Sequence, residues 1–567
     1  MQWQDDIRVI VGLDFGTTYS GFAYCHIIDE IIHTNNKWTG ATGDLKTNTI
    51  LQYDYKFINV EEWGNPALYK RSNRKKEREP VELFKLHLGN LQAKLRPKLP
   101  IDHKKAIKDY LYEIGKLFKE RIHKKWPDVE INKNVLWVLT VPAEFSEKDI
   151  AIMRECVNNA KLIKRKDAKN LQFTTEPEAA ALYCMENELL ELNIGNSFMI
   201  VDCGGGTVDL TTRKLIGIGQ LGEVTERTGD FCGSTFIDNE YIRFLRKKLG
   251  HRAIDLLKEH NYGQYQNIIQ TFCRRVKIPF TGDDPGFHYT LDIEAIAPAL
   301  KRCVDNEIKG NMIDLEWMIK IKYDDVKKMF DPIIDRICRM IHHQLLNNRG
   351  ICSNIILVGG FSKSKYLQKR IKQGFEHVSL DSNLPKATIV IPKEPEAAIV
   401  RGAAIYGLSL QKSLNTSKMD KTKFAILNRI LKCTYGIKIF PPWKNGDPPD
   451  RKENGRIGIF KRLVEKGTQV EIDQEFSSSF IPVETKQTDM KFEVYYTTQN
   501  NAKYCEDPVK PLGLLHIDLP DLDLKRRDRT VTFGFSFGQM EITAFARNEV
   551  NGQNFQTRFD LSMDHEI

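Results

Sequence analysis

The sequence has no CxxC pair, and its 11 cysteines are an odd number scattered from Cys25 to Cys505. That spacing excludes a zinc knuckle and a disulfide framework. No apolar run approaches the roughly 18 residues that a membrane-spanning helix requires, and Met1 to Asp6 (MQWQDD) lacks the basic-then-apolar start of a secretory signal. A soluble, cytoplasmic protein without a membrane span is therefore expected. There is also no GxxxxGK[ST], so any bound nucleotide is held by something other than a Walker-type loop. One-sided charge is scarce too: 84 Lys and Arg against 75 Asp and Glu leave +9 over 567 residues. The densest basic stretches, Arg71 to Glu79 (RSNRKKERE) and Lys525 to Arg529 (KRRDR), carry no interleaved aromatics, so they are read as solvated loops and no nucleic acid partner is expected. His342 and His343 are neighbours on a helix, about 100° apart, which argues against a joint metal site.

What the chain does contain is a duplication. EPEAA occurs at Glu176 to Ala180 and again at Glu394 to Ala398, after the β-rich runs LQFTT and TIVIP and before helical stretches. Upstream of each copy an apolar run ends in Asp and glycine: VIVGLDFGTT at Val9 to Thr18 and FMIVDCGGGT at Phe198 to Thr207. The chain up to about residue 409 therefore reads as two related halves.

Each half is expected to open with a hairpin. YSGFAY follows the first Gly-Thr tip and VDLTT the second. Glycine lets backbone N–H groups approach a ligand and Thr adds hydroxyl donors, so such a tip can cradle phosphate oxygens. Asp14 and Asp202 then stand beside those phosphates, and two carboxylates from separate halves suit Mg²⁺, which keeps most of its waters. A cleft between the halves follows. A third glycine pair, Gly359 and Gly360, lies between the apolar strand Asn354 to Val358 and a basic helix, a good resting place for a nucleotide. The alanines of EPEAA are read as structural, because small side chains allow close helix packing.

The order VGLDFGTTYSGFAY, VLTVPAEF, TEPEAAALY, IVDCGGGTVDL, ILVGGFSKS and EPEAAIVRGAA resembles the ATPase domain of the 70-kDa heat-shock proteins and their actin/hexokinase relatives. Phenylalanine in GGFSKS and the basic insert before Leu83 look most like a divergent branch of that family. The resemblance implies an α/β fold, a duplicated two-lobed actin-like ATPase domain over residues 1–409 with ATP/ADP and Mg²⁺ in its cleft. Asp14 and Asp202 would hold the magnesium water shell. Gly16, Thr17, Thr18 and Tyr19 would embrace the phosphates from one lobe, and Gly204, Gly205, Gly206 and Thr207 from the other. Lys85, in LFKLHLG, takes the place of the family's catalytic lysine, which orients the attacking water and stabilises charge on the γ-phosphate. Glu176, Asp209 and Thr207 complete the implied catalytic set. Gly233, Lys277, Gly359, Gly360, Lys363 and Glu396 match positions around the adenosine, with Lys363 in place of an arginine that stacks on adenine. Two departures stand out: the adenosine helix reads CRRVKIPF, without the acidic partner for the ribose, and Ile150 stands where an arginine senses Pro142 in an interdomain relay.

The polar stretch within residues 410–430 reads as a linker. From Leu431 to residue 567, short β-like segments separated by Gly, Pro, Asn and Asp predict an all-β, sandwich-like domain, with TYGI and FKRLVEKG resembling the family's substrate-binding β domain. Its Met and aromatic residues are read as core. No helical lid fits, and the family's acidic EEVD ending is replaced by DHEI. The resulting expectation is an ATP-binding, chaperone-like ATPase that hydrolyses slowly to ADP and phosphate and binds protein or peptide clients. The alternatives are a nucleotide-gated signalling scaffold with little or no hydrolysis and a small-molecule kinase of the same fold.

Overall fold

The computed structural model describes residues 6–69, 80–89, 91–166, 168–187, 193–217, 219–348, 352–377, 386–415, 425–506, 508–537 and 540–558. The basic run Arg71 to Glu79 and the terminal DHEI lie outside them. Two compact units emerge, and both are discontinuous in sequence: residues 1–144, 156–219 and 228–425 form one, and residues 145–155, 220–227 and 426–567 the other.

The first unit contains two sheets built to the same plan. In the first sheet, the strand Val9–Phe15 pairs antiparallel with Tyr19–His26 and parallel with Val135–Val141, which pairs parallel with Leu171–Thr175. In the second, Ser197–Cys203 pairs antiparallel with Val208–Gly217 and parallel with Asn354–Val358, which pairs parallel with Thr388–Val390. Each sheet thus carries one hairpin, then two parallel neighbours, and each EPEAA follows the outer parallel strand. The strands read as continuous apolar runs because both faces are covered, as parallel pairing requires; Val9–Phe15 and Ser197–Cys203 are buried at every position.

The cover is specific. Phe15 points to Tyr110 of the helix His103–Lys125, whose Phe118 meets Trp137 with ring centroids 4.8 Å apart. Gly12, of opposite parity on the strand, faces the helix Ala398–Asn415, and a Cβ there would lie 2.4 Å from the Val400 carbonyl oxygen. The same helix crosses Glu176–Glu186 so closely that a Cβ on Gly402 would stand 1.7 Å from the Ala179 oxygen. The small residues at that crossing are Ala179 of the first EPEAA copy and Gly402, which follows the second. Glu178 has a further role, closing a capping box with Thr175 and pairing with the fully buried Arg213 at 2.8 Å.

In the second unit, the described residues from 426 onward form strands and short 3-10 turns. One antiparallel sheet has the order Ile459–Val464, Thr434–Ile439, Asp489–Thr497, Lys510–Asp518; another has Gln474–Phe480, Val531–Phe537, Thr543–Asn548, Asn554–Arg558. Phe492 of the first stacks on Phe533 of the second at 4.6 Å, and Tyr435 meets Phe537 at 5.6 Å, so these aromatics are core. The strand Gln474–Phe480 (QEFSSSF) was not expected. Residues 410–430 also differ from a plain linker: the helix runs on to Asn415, and short strands occupy Ala425–Ile426 and Asn428–Ile430. Ile430 N–H donates to Glu223 at 2.6 Å, and Glu223 N–H to Asn428 at 2.8 Å, which ties residues 220–227 to the strands. Residues 145–155 join the same unit through Arg154, whose guanidinium grips both oxygens of Glu541 at 2.5 and 2.6 Å. Arg154 lies one turn after Ile150 on the helix Glu147–Asn159.

The reading of KRRDR as a solvated loop needs one correction. Arg529 is fully buried and donates to the carbonyls of Thr485, Gln487 and Leu519 at 2.8, 2.7 and 3.0 Å. Loop carbonyls with no strand partner need donors, and the forked guanidinium supplies several from one side chain. Among the described residues no helix is long and apolar enough to cross a membrane.

Candidate functional site

The two hairpin tips meet. A Cβ on Gly205 would fall 2.0 Å from Thr18 Oγ1 and one on Gly206 2.7 Å from Thr17 Oγ1, so the second tip has glycines because the threonines of the first occupy that space. Gly233 is equally constrained, since a Cβ there would meet the Gly205 carbonyl oxygen at 2.4 Å as the helix Thr235–Leu249 starts against the tip. Between the tips opens a cavity of about 670 Å³, within the size range of sites for small molecules.

Most of the expected residues line this cavity: Asp14, Gly16, Thr17, Thr18, Tyr19, Lys85, Glu176, Asp202, Gly204 to Thr207, Lys277, Gly359, Gly360, Lys363 and Glu396. Two do not. Gly233 packs behind the second tip, and Asp209, the cross-strand partner of Asp202, lies under it and accepts the Ala143 N–H at 2.8 Å. Asp209, whose side chain turns to Ala143, is thus a buried support for the loop.

Lys85 is not a surface lysine on an amphipathic helix. It sits in the 3-10 turn Phe84–His87, is buried, and donates to Glu176 Oε1 at 2.8 Å. Leu83 enters that turn with φ of 58°, a left-handed conformation that aims the turn inward. Glu176 opens its helix, so strand Leu171–Thr175 and the helix start together place the carboxylate.

The floor is acidic and buried. Burial, then Glu176, Asp209 and Asp14, holds the Asp202 carboxyl well above the usual carboxylate range. Burial and Glu176 push Asp209 up to about 7. Burial also raises Glu176, with Lys85 opposing. Asp202 Oδ1 is buried and has no hydrogen-bond partner among the described residues. An orphaned carboxylate oxygen in a field of carboxylates fits a cation. Among the described residues no three acidic, His or Cys side chains converge as a ready metal cage.

Several lining groups were missed by sequence reasoning. Lys46 pairs with Asp14 at 2.5 Å; burial opposes its charge, but Asp14, with Asp202 and Glu176, raises its pKa overall. Gln270 and Arg274 line the cavity beside Lys277. Lys277 donates to Asp238 on the neighbouring helix and to the Ser234 carbonyl, both at 2.7 Å. Lys363 forms an ion pair with Glu396. The only local signal for Gln270 is its spacing of four and seven residues from Arg274 and Lys277, which puts all three on one helical face.

Two related α/β halves that each present a glycine-rich tip and a carboxylate to one cavity are consistent with the actin-type ATPase fold. No protein-family model matches the chain. Individual proteins do: the chain is 24% identical to heat shock 70 kDa protein 12A of Mus musculus and 23% identical to heat shock 70 kDa protein 12B of Homo sapiens, in each case over 98% of this chain and 92% of the relative. It is 23% identical to the chaperone protein HscA of Buchnera aphidicola over 90% of this chain and 89% of that protein. The chain is thus similar over nearly its whole length to 70-kDa heat-shock proteins, the divergent 12A and 12B members among them.

Proposed function

We propose that this chain binds Mg-ATP in the cavity and hydrolyses it slowly to ADP and phosphate, as a chaperone-like ATPase whose β-rich part engages protein segments. The observation that carries the reading is the apposition of Thr17 and Thr18 with Gly205 and Gly206 beside Asp14 and Asp202. In this reading residues 1–409 are the nucleotide-binding domain, 410–430 the connection, and 431–567 a sandwich-like partner-binding domain to which 145–155 and 220–227 are added. The backbone N–H groups and hydroxyls of Gly16 to Tyr19 and Gly204 to Thr207 bind phosphate oxygens. Magnesium, held through water by Asp14 and Asp202, would supply positive charge to the phosphates. Lys85 orients the attacking water and neutralises charge developing on the γ-phosphate, Glu176 accepts hydrogen bonds from the surrounding waters, and Asp209 supports the second tip from beneath. Lys277, Lys363, Glu396, Gly359 and Gly360, with Gly233 behind the second tip, form the adenosine side.

A second reading, a nucleotide-gated scaffold with little or no hydrolysis, draws on the adenosine side, where Lys277 and Lys363 are both engaged by carboxylates. Single-turnover hydrolysis separates the two. With magnesium, bound ATP converts to ADP and Lys85→Ala slows the conversion about a hundredfold or more without preventing binding. ATP that remains bound and intact in the unaltered protein rejects the ATPase and leaves the scaffold.

A further inference from the structure

Lys46 reaches the cavity by a route that the strand register explains. Thr47 and Asn48 pair with Ser20 and Tyr19, which brings Lys46 alongside Gly21, and Gly21 is the cross-strand partner of Asp14. A Cβ on Gly21 would lie 3.0 Å from Lys46 Cγ and 2.9 Å from the Leu45 oxygen. The missing side chain is what lets the lysine stem cross the strand and place Nζ 2.5 Å from Asp14 Oδ2. The other Asp14 oxygen accepts Thr140 Oγ1 at 3.3 Å. The Lys46 side chain is only 14% exposed and lines the cavity together with both tips, Lys85 and Asp202.

This arrangement bears on how phosphate is held. The other lysine at the floor, Lys85, donates to Glu176, whereas Lys46 neutralises Asp14 at the mouth of the first tip. A lysine is a compact point charge with three donors on a flexible stem, so one ammonium can keep a carboxylate and still donate to a phosphate oxygen.

The geometry points to Lys46 as a resident cation that binds the phosphates of the nucleotide and makes its binding partly independent of divalent metal. The inference rests on the nucleotide reading above. Lys46 shares Asp14 with any magnesium water shell, holding that carboxylate when no metal is present and donating to phosphate when nucleotide enters.

The test is the affinity of ADP for the full chain, by calorimetry or equilibrium dialysis, in excess magnesium and in EDTA, for the unaltered protein, Lys46→Met and Lys46→Arg. A charge-assisted hydrogen bond of the usual strength predicts that Lys46→Met weakens ADP binding in EDTA by about tenfold to a hundredfold. In magnesium the same variant changes binding by less than about threefold, and Lys46→Arg restores most of the metal-free affinity. Circular dichroism and melting temperature show whether Lys46→Met folds; if it does not, Lys46→Arg decides alone, because a retained charge must keep metal-free binding. An unchanged ratio of magnesium to EDTA affinities between the unaltered protein and a folded Lys46→Met overturns the role of Lys46 while leaving the nucleotide site standing. Absence of ADP and ATP binding by the unaltered protein in magnesium overturns the nucleotide reading and this inference with it.

Discussion

Replacing Lys85 by Met removes the cation from a buried pair and leaves Glu176 among Asp14 and Asp202. The N···O distance is 2.8 Å and both side chains are at most 8% exposed. At an effective dielectric constant of about 20, the direct attraction is about 6 kcal/mol. Much of it is offset by the desolvation of both ions, so the pair contributes little against an apolar pair of equal size, whereas loss of one partner costs about 3–5 kcal/mol. Lys85→Met and Glu176→Gln should each destabilise by that amount, and the double variant should return to within about 1 kcal/mol of the unaltered protein. The site lies in one unit of a two-unit chain, so amide hydrogen exchange of the segment Leu171 to Glu186 is the suitable assay. Protection there should fall by about two to three and a half orders of magnitude in each single variant and recover in the double. The effect carries a pH signature. Without Lys85 the already raised pKa of Glu176 rises further, so the folded state binds a proton that the unfolded state releases, and stability is lost as pH increases through that window. The penalty of Lys85→Met should therefore be smaller at pH 5 than at pH 8. A loss of protection under tenfold in both single variants, or a double variant as damaged as their sum, refutes the buried pair as the organiser of this corner.

Asp209 titrates in the same direction: its folded value is pushed up to about 7 from an ordinary value near 4. Its contribution to stability is fully present below about pH 4 and disappears as pH rises through about 7, so Asp209→Asn should flatten the pH dependence of melting temperature across that range. Gly402→Ala places a methyl group 1.7 Å from the Ala179 oxygen and should destabilise the first unit by about 1–3 kcal/mol or more, read as a lowered melting temperature; an unchanged melting temperature would contradict the close crossing of the two helices.

Much of the first unit was legible because its signals are short and local. Continuous apolar runs ending in Asp and glycine define the first strand of each hairpin, and the repeat of EPEAA marks the equivalent edge of each half. The second unit was less complete. QEFSSSF alternates phenylalanine with serine too weakly to announce a strand, and its pairing with Val531–Phe537 decides the matter. Arg529 sits in a run of charges that sequence reasoning assigns to solvent, and only the distant carbonyls of Thr485, Gln487 and Leu519 draw it inside.

The sequence by itself determined the duplication, the two glycine-threonine tips, the carboxylates beside them and the family resemblance, because each depends on residues close together along the chain. Tertiary structure decided which charges face one another. Lys46 meets Asp14 across 32 residues, Lys85 meets Glu176 across 91, and Lys277 finds Asp238 39 residues earlier on another helix. Such pairs have no fixed spacing in sequence. They exist because strand register and helix crossing bring the groups into a cavity of low dielectric, where an unpaired charge is costly and a partner must be close at hand.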